Sequence, residues 1–318
     1  MSRSLPRHAL VLTAGLGTRL RPLTLVRAKP AIPVGGEPLI RRIAGWLAGN
    51  GVTDLVLNLH HLPETLTAVL GDGGDLAVRV RYSWEQPVVL GGAGGPRQAL
   101  AIIGADTFLI VNGDTLTDVD LRALADAHAS SGALVTLALV PNHEPVRYGG
   151  VRLEEGSRVI GFAPRGPAAA GSFHFIGVQI ANAEAFRSLP AGRAINSIGG
   201  AYDALIASRP GSVRGLVCDA GFWDVGTVPQ YWQTSLAFLG QEAGEKGWRG
   251  RGVRVDRSAR VNRSILWDEI DVGAGCVLDE CIVTDGVRVP PGAAYRRSIL
   301  VRANDGPSAT PFEIMPHA

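Results

Sequence analysis

Between residues 12 and 40 the chain reads LTAGLGTRLRPLTLVRAKPAIPVGGEPLI. Gly15 and Gly17 stand where the apolar run His8–Leu12 ends, and Thr18, Arg19, Arg21, Arg27 and Lys29 follow. Glycines at a strand end let backbone amides approach an anion closely, and fixed cations beside them neutralise it. That chemistry suits a polyphosphate. Prolines at 22, 30 and 33 oppose helix formation, so an ordered, non-helical loop is expected to keep the cations near the glycines. The P-loop spacing, four residues between glycines and then Lys-Ser/Thr, is absent. The dinucleotide fingerprint needs a helix inside the glycine run, and Pro22 with the basic stretch excludes it.

Asp114 closes the strongly apolar run Phe108-Leu-Ile-Val-Asn-Gly-Asp114. An aspartate there is commonly a helix cap, but Thr117 or Asp118 is placed to cap the helix that follows, which leaves Asp114 without a structural task. Mg²⁺ takes few protein carboxylates and completes its shell with substrate phosphates, so one or two aspartates are enough to hold it. Asp224, in Gly221-Phe-Trp-Asp-Val-Gly-Thr227, is the second candidate. Glu85-Gln-Pro-Val-Val-Leu-Gly-Gly-Ala-Gly-Gly95 offers consecutive glycines before a helix, where a flat base or ribose can lie against the backbone. Cys218, Cys276 and Cys281 have neither metal nor disulfide spacing and read as small apolar fillers. His60-His61 follows an apolar run and reads as a strand-end loop.

The elements that must position these residues alternate. Strands are expected at 8–12, 53–58, 78–84, 107–112 and 133–140, and helices at 38–47, 63–70, 96–103 and 119–129. This order predicts a Rossmann-like, mainly parallel α/β sheet flanked by helices, with ligands at the carboxyl ends of the strands. A hairpin over 149–153 and 158–162, strands at 173–180 and 213–217, and helices at 183–188, 201–206 and 228–238 should follow. Gly240–Gly252 is glycine-rich and charged and reads as a linker. Beyond it Val255, Val272 and Val289 recur at a 17-residue offset, as do Ser264-Ile-Leu, Cys281-Ile-Val and Ser298-Ile-Leu. Aliphatics every five or six residues with small residues between suit hexapeptide coils of a short left-handed β-helix. The expected division is 1–240 catalytic, 241–252 linker, 253–302 β-helix and 303–318 tail.

With 318 residues, 46% hydrophobic and 19% charged, the chain is an ordinary globular one with a sizeable core. A net charge of +2 gives no general attraction to nucleic acid or membrane, and no apolar run approaches a membrane span. The opening could be mistaken for a signal peptide, but its apolar stretch is the lead-in strand of the glycine loop, so a cytoplasmic location is expected.

Read as a whole string, residues 12–40 resemble the signature of the sugar-1-phosphate nucleotidyltransferases, as do Gly113-Asp114 and Gly221-Phe-Trp-Asp-Val-Gly-Thr227. Tyr148-Gly149, Phe175-Ile-Gly-Val178 and the helix around Tyr231 match the sugar side and last helix of that family, and the C-terminal coils resemble those of its mannose-1-phosphate guanylyltransferase branch. The resemblance implies transfer of a nucleotidyl group from a nucleoside triphosphate to a sugar 1-phosphate with release of pyrophosphate, GTP with mannose 1-phosphate being favoured. It implies Arg19, Lys29 and Asp114 as catalytic residues and Asp114 with Asp224 as ligands of Mg²⁺. Ala14, Gly15, Gly17, Thr18, Arg19, Lys29, Gln86, Gly91 and Gly94 would bind the nucleotide, and Tyr148, Gly149, Arg165 and Gly177 the sugar phosphate.

Gly92 replaces a threonine of the guanylyltransferase branch, and Gln86-Pro87 also occurs in thymidylyltransferases, so UTP and dTTP stay open. Glu37 stands where the family often has lysine, and Ala163-Pro164-Arg165 replaces its usual Glu-Lys-Pro, which puts the sugar-phosphate contact on Arg165 or another cation. A non-catalytic sugar-nucleotide sensor would have lost the carboxylates and cations present here. Acyl transfer in the coils needs a histidine, and after His174 only His317 occurs. The coils are therefore expected to serve homo-oligomerisation, and residues 1–240 to suffice for the reaction.

Overall fold

The computed structural model describes residues 5–302 and 312–316, so His317 and most of the expected tail lie outside the described residues. By contacts the chain forms two units, one holding the residues up to Gly15 with Ile40–Trp223, the other Leu16–Leu39 with the chain from Asp224 onward. Residues 16–39 thus group by contacts with the C-terminal part of the chain.

The first unit is built on a nine-stranded sheet. In chain order its strands and a short ribbon are β1 (His8–Leu12), β2 (Asp54–Leu59), β3 (Arg79–Trp84), β4 (Thr107–Asn112), β5 (Thr115–Thr117), β6 (Val135–Pro141), β7 (Gly150–Glu154), β8 (Arg158–Ala163), β9 (Phe173–Asn182), β10 (Val213–Val217) and β11 (Phe222–Asp224). The sheet order is β3-β2-β1-β4-β9-β6-β10-β8-β7, and β5 pairs with β11 separately. Pairs β1–β2, β1–β4, β2–β3 and β6–β10 are parallel, whereas β9 runs antiparallel between β4 and β6. Ala9, Leu10, Val11 and Phe108–Val111 are almost wholly buried, as strands covered on both faces must be.

Helices α1 (Leu39–Gly49), α2 (Pro63–Leu70), α3 (Gly91–Ile103), α4 (Leu121–Ser131) and α5 (Tyr202–Ser208) flank these strands. The cap of α4 is neither Thr117 nor Asp118 but Asp120, whose carboxylate accepts from the amides of Arg122 and Ala123 at 2.8 and 3.1 Å. Asp118 instead accepts from the Gly221 amide at 2.8 Å, and the Thr117 hydroxyl donates to the Gly221 carbonyl at 2.7 Å, tying the β5–β11 ribbon. Helix α3 begins five residues before the expected Pro96. Its glycine-rich first turn is held from outside the helix, as the Ala93 and Gly94 amides both donate to Ile195 O.

In the second unit, residues 16–39 contain only short 3₁₀ turns, at Thr18–Leu20, Leu23–Leu25 and Lys29–Ala31, and then a ribbon of Pro33–Val34 with Glu37–Pro38. Helices α6 (Val228–Leu239) and α7 (Gln241–Lys246) lead into the coils. The stretch 241–252, expected as linker, thus carries a helix, and Trp248–Arg249 already pairs in parallel with Ile265–Leu266. The repeat starts one strand earlier than its aliphatic pattern shows, because tryptophan and arginine occupy the first copy. Three parallel ladders follow in the expected register: Val255–Val272–Val289, Ile265–Ile282–Ile299 and, on the third face, Val261–Leu278–Tyr295. Corners have positive φ at Gly252, Glu269 and Gly286, at Gly275 and Gly292, and at Arg263, Glu280 and Arg297. Ser264 and Ser298 hydroxyls bond carbonyls two residues back, and Cys281 Sγ does the same with Asp279 O, which makes the thiol a small repeat residue. Phe312–Pro316, within the expected tail, adds an antiparallel strand to Ser298–Val301.

Candidate active site

Parallel pairing of β1 with β4 brings the two chemical strand ends of the first unit together. Leu12 is opposite Asn112, and the Gly113 amide donates to Leu12 O at 2.9 Å, so Thr13-Ala14-Gly15 and Asp114 leave the sheet side by side. The Thr13 amide donates to Asn58 Oδ1, Asn58 Nδ2 to Glu85 Oε1 at 2.7 Å, and the Leu90 amide to Glu85 Oε2 at 2.6 Å. Glu85 is fully buried. This chain of bonds fixes the glycine loop's first residues and the start of α3 as one polar network. A Cβ on Gly95 would lie 2.6 Å from Glu85 Oε1, and one on Gly91, with φ +76°, 2.9 Å from Ile195 O. Gly94 is likewise closed by Arg193 O. These glycines therefore have a packing reason of their own. Gly15 has none: among the described residues a Cβ there would meet nothing within 4 Å. Gln86 is exposed.

The sugar-side candidates also gather within this unit. A Cβ on Gly149 would stand 3.1 Å from Ala163 O and 3.9 Å from the Arg165 amide, so Tyr148-Gly149 and Arg165 are neighbours, the latter exposed. Gly177 sits at a register shift in β9 with φ +80°, where any Cβ would strike the Asn112 side chain. Tyr148 stacks on His174 with centroids 4.1 Å apart, and Phe222 closes the cluster at 5.6 and 5.1 Å. Burial pushes the His174 imidazole down to about 4, with the Gly149 backbone opposing and Arg147 adding to the shift.

The second unit carries the cations. Gly17 has φ +60°, and a Cβ there would collide with Thr24 Cγ2 at 2.7 Å; the Thr24 hydroxyl donates to Gly17 O at 3.0 Å. Lys29 is only 9% exposed, whereas Thr18 and Arg19 are exposed. Asp224 ends β11, where the chain passes between units, and a Cβ on Gly226 would sit 3.0 Å from Asp224 Oδ2. Arg27 departs from its expected place among the phosphate cations. Its Nε and Nη2 donate to both oxygens of Asp285 at 2.7 Å, and Nη2 also to Asp268 at 2.8 Å. Burial opposes the charge of Asp268, but hydrogen bonds from Arg27 and the Arg251 amide hold its carboxyl below the usual range.

A nucleotidyl transferase family model matches residues 8–241, and a GlmU-like C-terminal hexapeptide model matches 248–295. The chain belongs to the sugar-1-phosphate nucleotidyltransferase family. As a nucleotidyltransferase it is 30% identical over 299 residues to the mannose-1-phosphate guanylyltransferase of Mycobacterium tuberculosis, covering 91% of this chain and 83% of that one. It is 28% identical over 296 residues to the UTP–glucose-1-phosphate uridylyltransferase of Synechocystis, covering 88% and 76%. The crystal structure of HddC from Yersinia pseudotuberculosis superposes with a TM-score of 0.63 at 22% identity, over 73% of this chain and 99% of that one, which shows the shared fold.

Within the nucleotidyltransferase, motif reading missed the residues that hold others in place: Asn58, Thr24, His174 and Phe222, and the supporting part of Glu85. Asn58 had one signal, a polar residue inside the buried run Leu55–Leu59.

Proposed function

The chain is a sugar-1-phosphate nucleotidyltransferase, and we propose that it joins GTP to mannose 1-phosphate. The observation that carries this reading is the Mycobacterium tuberculosis relative, whose similarity runs through both the catalytic part and the coils. The second reading, UTP with glucose 1-phosphate, rests on the Synechocystis relative, similar over nearly as much of the chain.

In the proposed reaction a phosphate oxygen of the sugar 1-phosphate attacks the α-phosphorus, and the bond to the β-phosphate oxygen breaks as pyrophosphate leaves. The attacking group is already an anion at neutral pH, so the protein's task is positioning and charge neutralisation rather than proton removal. Arg19 and Lys29 neutralise the departing pyrophosphate, while Ala14, Gly15, Gly17 and Thr18 present their backbone to the triphosphate. Gly15 supports this, since the fold supplies no packing reason for a glycine there. Gln86, Gly91 and Gly94 border the base. Tyr148, Gly149 and Gly177 seat the sugar phosphate, with Arg165 as its cation.

Asp114 and Asp224 are the proposed holders of Mg²⁺. Among the described residues no three His, Cys, Asp or Glu side chains gather as a metal cage. Aspartates suit a hard cation that keeps phosphate and water ligands, and one or two of them are enough. When bound, the ion supplies positive charge to the reacting phosphates. We also propose that the coils mediate self-association. No helix among the described residues is long and apolar enough to cross a membrane. The test is kcat/KM for GTP, UTP and dTTP, each paired with mannose and glucose 1-phosphates. GTP with mannose 1-phosphate should lead; a clear preference for UTP or dTTP would overturn the base assignment and leave the reaction class standing.

A further inference from the structure

Asp268 and Asp285 hold the same position in successive coils, and the Asp268 amide donates to Asp285 Oδ1 at 3.0 Å. Neighbouring strands of a parallel ladder lie about 4.8 Å apart, so two carboxylates in register repel unless a cation joins them. Arg27 is that cation. It grips Asp285 with two nitrogens, reaches Asp268 with one of them, and lies 5.3 Å over the Trp267 ring. Trp267, fully buried although it belongs to a coil, donates its indole N–H to Tyr231 of α6 at 2.9 Å. A second contact joins the same loop to the first coil: a Cβ on Gly36, with φ +85°, would approach Trp248 Nε1 to 2.9 Å. The side chains of Arg27 and its two aspartates are 15–29% exposed, and a bidentate guanidinium in such surroundings fixes direction as well as distance.

We infer that the β-helix is the mount of the phosphate loop, with Arg27, Asp268 and Asp285 acting as positioning residues for triphosphate binding. The loop has no α-helix of its own, and Lys29 follows Arg27 by two residues, so anchoring Arg27 to the coils restricts where Lys29 stands. The inference rests on the proposed role of Arg19 and Lys29 at the triphosphate. It predicts an effect selective for the triphosphate, because Arg19 and Lys29 share their unit with the coils while the sugar-side candidates belong to the other unit.

The experiment is steady-state kinetics of the full chain carrying Asp285→Asn, Asp268→Asn or Arg27→Lys, each substrate varied in turn, with melting curves for every variant and Lys29→Ala as reference. Asp285→Asn should raise the triphosphate KM about tenfold, since apparent affinity falls with the fraction of molecules whose loop is correctly held, while the sugar 1-phosphate KM stays within about twofold. Arg27→Lys, which keeps charge but not the fork, should show the same selective rise, and Asp285→Glu should recover most of the loss. Wild-type kinetics in folded Asp285→Asn and Asp268→Asn proteins would overturn the inference, as would a parallel rise in both KM values. Wild-type triphosphate kinetics in Lys29→Ala would instead remove the loop's assigned role, and the mount with it.

Discussion

At the scale of single residues, Asp114 owes its place to one strand register: β4 ends at Asn112, opposite Leu12, and the chain at Asp114 leaves the sheet beside the glycine loop. Asp114→Asn keeps the shape and removes the charge. It should lower magnesium-dependent kcat on the order of 100-fold while the melting temperature stays near wild type. Near-normal turnover in a folded variant would remove Asp114 from the site. His174 makes a separate prediction. With a folded value of about 4 against the ordinary 6.5, it stays neutral near pH 7. Between those values the unfolded chain binds the proton and the folded one does not, so acidification through this window favours unfolding. His174→Gln should therefore flatten the acid limb of the melting temperature between pH 6.5 and about 4 relative to wild type. An unchanged slope would show that the imidazole carries no such penalty.

Among the elements, the coils are the most regular. Ile282 is fully buried between Ile265 and Ile299, and its replacement by alanine should cost about 2–4 kcal/mol through the cavity left behind, measured by denaturant unfolding. A cost below about 0.5 kcal/mol would show that the stack is not a packed interior. The repeat register was legible because aliphatics recur there, as β1, β10 and α2 were from simple apolar runs with clear stops. What sequence reading missed has common causes. The early start of α3 depends on Ile195, far along the chain, accepting amides that glycine-rich helices otherwise leave exposed. The strand at Trp248–Arg249 breaks the aliphatic pattern, and Arg263, Glu280 and Arg297 turn corners where a glycine would be the readable sign. Arg27 was legible as a cation near a phosphate loop, yet its partners stand about 250 residues away, at a separation of 241 and 258.

For the whole molecule, residues 16–39 group by contacts with the coils and not with the nine-stranded sheet. Arg27 of that segment bonds Asp268 and Asp285 of the coils, so residues 1–240 lack partners that the segment uses in the full chain. The family makes nucleotidyl transfer to a sugar 1-phosphate the central account of the molecule. The most direct test of that account is the initial rate of pyrophosphate release by the purified full chain with Mg²⁺ and a nucleoside triphosphate, with and without sugar 1-phosphate. Release should depend on both the sugar 1-phosphate and the metal, and yield one nucleotide sugar per pyrophosphate. Absence of sugar-phosphate-dependent release across GTP, UTP, dTTP, ATP and CTP, with a panel of hexose 1-phosphates, would contradict it.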